Sequence, residues 1–275
     1  MYAKQRTEAS ATNRNAGNSI KAMPHDVRSI LYKLRRDEAA ALIDFLSVLK
    51  DRRARLYALE MIERYGAQKH ASILLRLTGD KIAEVRWRAA ELLEMLPSTP
   101  ISTLRRLIGD RSELVRVFAI ESAGGLDKQE IAPLIRQRLQ NDRSALVRSA
   151  AADALPTLFS ARKARLALQK RLQKERSARA LISIRAALLR LGDIDQLSPM
   201  CNTLNDRNYR IRCAASHYLS SAVPPLKSDD VIAKLIERKR KEHSRAVRSS
   251  IETGLRRLQH RSTSRRREDT RIRRA

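Results

Sequence analysis

The feature that most constrains the fold of this chain is a segment of 18 residues that recurs along it. The segment 79–96, GDKIAEVRWRAAELLEML, returns in altered form at 109–126, 141–158, 174–191, 205–222 and 241–258, with a shorter copy at 50–66. One aligned column holds Arg55, Arg86, Arg116, Arg148, Leu181, Arg212 and Arg248, at spacings of 30 to 36 residues. A period in this range is typical of a solenoid, in which each repeat packs on its neighbours.

Each repeat is predicted to be a pair of helices. In the second helix, Val85, Ala89, Leu93 and Leu96 form an apolar stripe at helical spacing, and the copies at 141–158 and 241–258 repeat it. The residues predicted to cap the second helices are Ser112, Ser144, Ser177, Asn208 and Ser244. The first helices are predicted at 37–49, 68–77, 101–108, 129–140, 161–173, 194–204 and 229–241.

The repeat resembles a known family. A turn Asp, a Val-Arg pair five and six residues later, and then Ala-Ala and Leu are similar to the HEAT repeat, in particular the HEAT-like repeats first associated with phycobilin lyases. The resemblance covers residues 37–258 and implies an all-α fold, a right-handed α-α superhelix of about seven helix pairs. We expect this solenoid to span 23–260, between a disordered tail at 1–22 and a basic disordered tail at 261–275.

The resemblance also implies a ladder of ion pairs and hydrogen bonds between successive turns, built from the Asp and Arg columns. The residues assigned to this structural ladder are Asp80, Arg86, Asp110, Arg116, Asp142, Arg148, Asp206, Arg212 and Arg248. In the fifth copy Glu175 and Leu181 replace Asp and Arg, so the ladder is expected to be interrupted there.

The composition indicates the kind of partner. Lys and Arg number 57 against 30 acidic residues, a formal net charge of +27, which favours polyanions such as nucleic acid or an acidic protein. No apolar run is long enough to span a membrane. Cys201 and Cys213 form no disulfide framework and are interpreted as free thiols, which favours a cytoplasmic location.

The sequence assigns no catalytic residue, metal ligand or cofactor. HEAT-like di-iron hydroxylases carry His-Glu ligand pairs, and this chain has none. HEAT-like DNA glycosylases hold DNA in a basic groove with aromatic side chains, and Trp87 with Arg88 could stack on a base and contact phosphate. The competing interpretation is that Trp87 fills space between repeats. Glycosylase or phycobilin-lyase-type activity therefore stays open as the weaker alternative.

The positive charge is concentrated in two regions, 159–191 with a net charge of +9 and 227–275 with +10. Few counter-charges accompany it, which favours a polyanion as partner. We therefore expect a non-catalytic scaffold that binds nucleic acid through phosphates, or alternatively an adaptor that holds an acidic protein on its concave face. The residues predicted to bind the polyanion are Lys163, Lys170, Lys174, Lys234, Arg238, Lys241, Arg88 and Trp87.

Overall fold

The computed structural model describes residues 36–224 and 227–272, and side chains are described for 38–224 and 227–260. The tail predicted at 1–22 lies outside the described residues. The chain divides into two compact units, residues 1–103 and 104–275. The described residues form fourteen α-helices and no β-strand. Taken in order, first and second helices alternate seven times, which confirms the predicted all-α fold of about seven helix pairs.

The first unit contains four complete helices: α1 (Arg36–Val48), α2 (Arg52–Tyr65), α3 (Ala71–Leu77) and α4 (Ala83–Leu92). Asp51 caps α2, since its carboxylate accepts a hydrogen bond from the backbone N–H of Ala54 at 2.8 Å. Gly66 ends α2 with φ +110°, a backbone conformation that glycine adopts without steric cost. Helix α2 packs against both α1 and α4.

Helix α5 (Ile101–Ile108) contains the boundary between the units. The second unit continues with α6 (Glu113–Gly125), α7 (Ala132–Asn141), α8 (Ala145–Leu158), α9 (Ala161–Leu172), α10 (Ala178–Arg190), α11 (Leu197–Asn202), α12 (Tyr209–Ala222), α13 (Ser228–Lys241) and α14 (Arg245–Ile272). The second helices α6, α8, α10, α12 and α14 pack in succession, each on the next. The first helices α7 and α9 are also in contact.

The apolar stripes of the second helices form the core, as the spacing predicts. Val85, Ala89 and Leu93 are fully buried in the first unit, and Val147 and Ala151 are fully buried in the second. Each large aliphatic side chain buried in this way contributes about 1.5–3 kcal/mol. Small residues let the second helices approach closely. A Cβ atom added at Gly124 of α6 would lie 3.1 Å from the Cβ of Ala154 in α8.

The predicted helix caps are wrong in their chemistry for three of the five positions. The side chains of Ser112, Ser144 and Ser177 make no capping hydrogen bond, whereas Asn208 accepts one from the N–H of Arg210. The acidic residue two positions earlier reaches the turn instead. At each of these positions its carboxylate accepts the backbone N–H of the expected cap residue, at 2.8–2.9 Å. This carboxylate orders the turn and leaves the serine hydroxyl available for other contacts.

The last helix is longer than expected. Helix α14 runs to Ile272, through most of the segment 261–275 for which a disordered tail was predicted, and 273–275 lie outside the described residues. The sequence from 255 to 272 contains neither Gly nor Pro and is rich in Arg, a good helix former, so nothing in it ends the helix.

Candidate functional site

Arginine side chains connect the turns of successive repeats in the second unit. Arg116 donates from Nε and Nη2 to the two carboxylate oxygens of Asp142, both at 2.9 Å. Its Nη1 donates to the backbone carbonyls of Asp110 at 2.8 Å and Arg111 at 3.2 Å, in the turn of its own repeat. One planar guanidinium therefore ties two turns together, and we call this arrangement a rung.

Two further rungs have the same geometry. Arg148 binds Glu175 at 2.7 and 2.8 Å, and Arg212 binds Glu242 at 2.8 Å through both nitrogens. Their Nη1 atoms donate to the carbonyls five and six residues earlier, at 2.8–3.2 Å. Glu175 thus accepts its rung although it is not Asp, since the longer side chain still reaches. The interruption expected in the fifth copy is confined to Leu181.

In the first unit Arg55 Nε lies 3.0 Å from Asp80 Oδ2, and Arg86 Nη1 donates to the carbonyls of Asp80 at 2.8 Å and Lys81 at 3.0 Å. Arg248 differs from the other arginines of its column. It is exposed, and no carboxylate is in ion-pair distance of it in the part of the chain that the structure describes. Helix α14 runs on to Ile272 after it, so the described residues contain no later turn for Arg248 to contact.

A second arginine binds each of these carboxylates, and sequence reasoning missed it. Arg138 lies 3.5 Å from Asp142, Arg171 lies 2.9 Å from Glu175, and Arg238 lies 2.7 Å from Glu242. Each stands four residues before its acidic partner, one helical turn away. The recurrence of an Arg four positions before the acidic residue of the turn was therefore the sequence signal that could have identified these arginines.

The paired arginines control the ionisation of the carboxylates. For Glu175, burial acts to raise the pKa, but hydrogen bonds from Arg148, the N–H of Ser177 and Arg171 outweigh it and lower the pKa to about 2. For Glu242, the hydrogen bond from Arg212 is the largest cause and overcomes burial, and the pKa again falls to about 2. Both carboxylates therefore stay charged at neutral pH, as stable anchors of the turns.

Helix α9 presents a basic surface without acidic residues. Lys163 and Lys170 on this helix are exposed, as is Lys174 directly after it. No carboxylate is paired with any of these three lysines among the residues described. The two preceding first helices are also basic. Helix α5 has two Arg, α7 two Arg and α9 five Lys or Arg, nine cationic residues in all, and the three helices contain no acidic residue.

Helix α13 does not present the same kind of surface, and its predicted basic stripe needs correction. Lys234 and Lys241 are exposed, but Glu237 lies between them, 3.8 and 3.0 Å from their Nζ atoms. Arg238 is half-buried and occupied by Glu242. Counter-charges are thus present on the helix itself, because Glu237 stands one turn from each lysine.

Trp87 and Arg88 do not lie in positions that the base-stacking interpretation requires. Trp87 is only 9% exposed, and Arg88 forms hydrogen-bonded ion pairs with Glu63 and Glu91. A ring buried to this extent has little face for a nucleic-acid base, and Arg88 already has two carboxylate partners. The geometry therefore favours the interpretation in which Trp87 fills space in the helix packing.

A polar network that the sequence did not indicate crosses three second helices. Tyr218 of α12 donates to Asp153 of α8 and accepts from Ser183 of α10 at 2.8 Å. Ser183 also contacts Ser149 at 2.6 Å, and Arg190 donates to Asp153 at 2.9 Å. Burial, the largest cause, and the charge of Asp153 raise the pKa of Tyr218, so its hydroxyl remains a donor. Tyr218 and Asp153 are 65 residues apart, too far for spacing alone to pair them.

The part of the chain that the structure describes contains no group of three or more His, Cys, Asp or Glu side chains arranged to hold a metal ion. None of its helices combines the length and apolar character needed to cross a bilayer. Cys201 and Cys213 are half-buried free thiols, and burial raises the pKa of each.

The chain is similar to known proteins in its repeat and its fold. Residues 84–156 match the family model of HEAT repeats. No curated protein matches the sequence. Among solved structures, the complex of CpcE and CpcF of phycocyanin lyase from Nostoc sp. PCC7120 superposes with a TM-score of 0.57 and 16% identity, over 82% of this chain and 95% of that chain. Human deoxyhypusine hydroxylase in complex with glycerol superposes with a TM-score of 0.40 and 18% identity, over 82% and 97%.

At these identities the likeness to CpcE and CpcF concerns the fold alone. It agrees with the alternating helix pairs, with the match at 84–156 and with the repeat motif that the sequence carries. Residues 84–156 are HEAT repeats, and the chain has an all-α HEAT-like solenoid fold.

Proposed function

We propose that this chain is a non-catalytic scaffold that binds nucleic acid through its phosphates. The binding surface is the basic face of α5, α7 and α9, with Lys163, Lys170 and Lys174 as its principal contacts. The observation that carries the proposal is that Lys163, Lys170 and Lys174 are exposed and have no carboxylate partner among the described residues. Helices α5, α7 and α9 contain no acidic residue, although Arg138 and Arg171 are bound to the turn acids that follow them. Positive charge concentrated in this way attracts a polyanion more strongly than scattered charges do.

Exposure and ion pairing favour three residues of the predicted contact set. Lys163, Lys170 and Lys174 are exposed and have no carboxylate partner among the described residues, so their charges are available to phosphates. Lys234 and Lys241 share Glu237, and Arg238 and Arg88 are held in ion pairs, so these four contribute less. Phosphate contacts carry no sequence information, so binding should be nearly independent of base sequence.

The test is a binding titration of a fluorescent DNA duplex by fluorescence anisotropy, with two charge-removal variants. Replacing Lys163, Lys170 and Lys174 by Gln should weaken binding by about tenfold or more at low salt. A matched control replaces Lys50, Lys69 and Lys81, three exposed lysines of the first unit, and so removes the same charge elsewhere. Equal effects of the two triple variants would show that net charge, rather than the α9 surface, attracts DNA.

One observation favours a second candidate, an adaptor for an acidic protein segment. Leu166 of α9 is 60% exposed and shares its helix face with Arg162 and Lys170, one turn to either side. Phosphate contacts need no apolar group, whereas an amphipathic acidic helix would cover Leu166 and pair with the cations. Co-purification separates the two candidates. Nuclease-sensitive material with a high ultraviolet absorbance ratio supports nucleic acid, and a stoichiometric acidic protein supports the adaptor.

A further inference from the structure

An open pocket of about 410 Å³ lies where α11 and the turn after it meet α10. Its lining residues are Arg185, Pro199, Asn202, Thr203, Asn205 and Asp206. The volume falls within the range of small-ligand sites, and four of the six residues have amide, hydroxyl or carboxylate side chains. The pocket is separate from the basic face of α5, α7 and α9.

The pocket coincides with the one turn of the second unit in which both arginines of the pattern are replaced. Leu181 occupies the position of the rung arginine, and Asn202 occupies the position four residues before the turn acid, where Arg138, Arg171 and Arg238 stand elsewhere. Asp206 Oδ1 accepts the backbone N–H of Asn208 at 2.8 Å. No Lys or Arg side chain is in ion-pair distance of Asp206 in the described ranges.

The other side of the missing rung is also incomplete. In each rung of this unit the arginine Nη1 donates to the carbonyls five and six residues before it. The corresponding carbonyls before Leu181 are those of Arg176 and Glu175, and an aliphatic side chain has no group that can donate to them. The carbonyls of Glu175 and Arg176 therefore receive no hydrogen bond from a rung arginine. The equivalent carbonyls in the Arg148 and Arg212 rungs each accept from a guanidinium group.

Arg185 places a guanidinium group in the pocket lining, and no carboxylate is in ion-pair distance of it among the described residues. It lies one helical turn after Leu181 on α10 and lines the pocket. Its Nε is buried and has no hydrogen-bond partner among the described residues. Burial lowers the pKa of Arg185, because no neighbouring carboxylate opposes it. A buried guanidinium N–H without an acceptor is costly, and an incoming carboxylate would satisfy it.

We propose that this pocket binds a ligand carrying both a guanidinium group and a carboxylate, either L-arginine or the C-terminal arginine of a peptide. The guanidinium takes the place of the missing rung arginine on Asp206, and the carboxylate pairs with Arg185. The side-chain amide of Asn202 offers further hydrogen bonds, as does the NH₂ group of Asn205, whose Oδ1 accepts from Arg238 at 3.4 Å. Guanidinium is favoured over ammonium because its planar fork can donate two parallel hydrogen bonds to the carboxylate of Asp206.

Isothermal titration calorimetry of the full chain with L-arginine tests this proposal. Saturable binding is expected, with L-lysine about tenfold weaker because an ammonium group cannot make the paired contacts. Asp206→Asn should abolish binding. Arg185→Gln should remove the advantage of a peptide ending in a free-carboxylate arginine over its amidated form. Tighter binding of the peptide than of L-arginine identifies a protein source, and the reverse identifies the free amino acid.

The decisive variant is Leu181→Arg, with Leu181→Met as its matched control. The new arginine should form the missing rung, exclude L-arginine from the pocket and raise the unfolding midpoint by about 2–4 °C. Leu181→Met should bind L-arginine as the wild type does. Unchanged binding by Leu181→Arg overturns the proposal, as does failure of the wild type to bind L-arginine. The triple lysine variant of α9 should retain arginine binding, so this site and the proposed function can fail separately.

Discussion

At the scale of single residues, the arginines of the turns act in pairs on one carboxylate. Arg148 and Arg171 both contact Glu175, a side chain that is only 1% exposed. Removing one partner of a buried ion pair leaves the other charge incompletely compensated. The resulting loss of folding free energy is larger than the loss from breaking an exposed pair. The rung arginines are therefore expected to matter for stability and to matter little for a ligand at the surface.

Replacing Arg148 by Ala should lower the free energy of unfolding by about 3 kcal/mol, measured by urea denaturation. The affinity for DNA should stay within about twofold of the wild-type value, since Arg148 is buried in its rung. Arg143→Ala removes the same charge from an exposed position of the same turn and is the control. A variant that loses DNA binding while keeping full stability would contradict a structural role for Arg148.

Acid should weaken the rungs in a defined pH window. The pKa values of Glu175 and Glu242 fall from 4.5 to about 2 in the folded chain. A carboxylate whose pKa is lowered by folding contributes stability above its unfolded pKa and loses it as the pH falls towards the folded value. The stability contributed by each, about 3 kcal/mol, should therefore be lost between about pH 4.5 and pH 2.

Urea denaturation at a series of pH values measures this loss. The amide of Glu175→Gln does not take up a proton between about pH 4.5 and pH 2, so the stability of this variant should decline less steeply over the same window. Parallel curves for wild type and variant would show that Glu175 does not titrate as described.

At the scale of the helices, the sequence was most informative where apolar residues recur at helical spacing. The stripes Val85–Ala89–Leu93 and Val147–Ala151–Leu155 predict second helices correctly because their burial requires helical spacing. The first helices are shorter, and α11 has only six residues between two 3₁₀ turns, so its predicted range of 194–204 merged three elements. Such boundaries depend on local turn geometry, which periodicity does not encode.

The network across α8, α10 and α12 is held by side chains that no local pattern could join. Tyr218→Phe removes its central hydroxyl, which leaves the fully buried Ser183 without that acceptor. We expect a loss of about 1–2 kcal/mol in the free energy of unfolding, measured by urea denaturation. Tyr209→Phe, at a tyrosine that is 45% exposed, should have little effect. Equal stability of both variants would mean that the network contributes nothing.

At the scale of the whole molecule, the net charge of +27 was evident from composition, but its pairing was not. Lys163, Lys170 and Lys174 remain without carboxylate partners among the described residues, whereas Lys234, Arg238 and Lys241 have Glu237 and Glu242 beside them. Those acids lie in the same stretch of sequence, so a check of i, i+3 and i, i+4 positions would have found them. The sequence showed that Leu181 breaks the Arg column, but the pocket at Asp206 needed coordinates, since its lining combines residues of α10, α11 and the following turn.

The salt dependence of DNA binding tests the central claim most directly. Anisotropy titrations between about 50 and 200 mM salt should give a linear fall of log K with log salt for the wild type. In the variant lacking Lys163, Lys170 and Lys174 the slope should be smaller by about two to three, roughly one per lost phosphate contact. The absence of binding at low salt, or an unchanged slope in the triple variant, would contradict the proposal that α9 holds a nucleic acid through its phosphates.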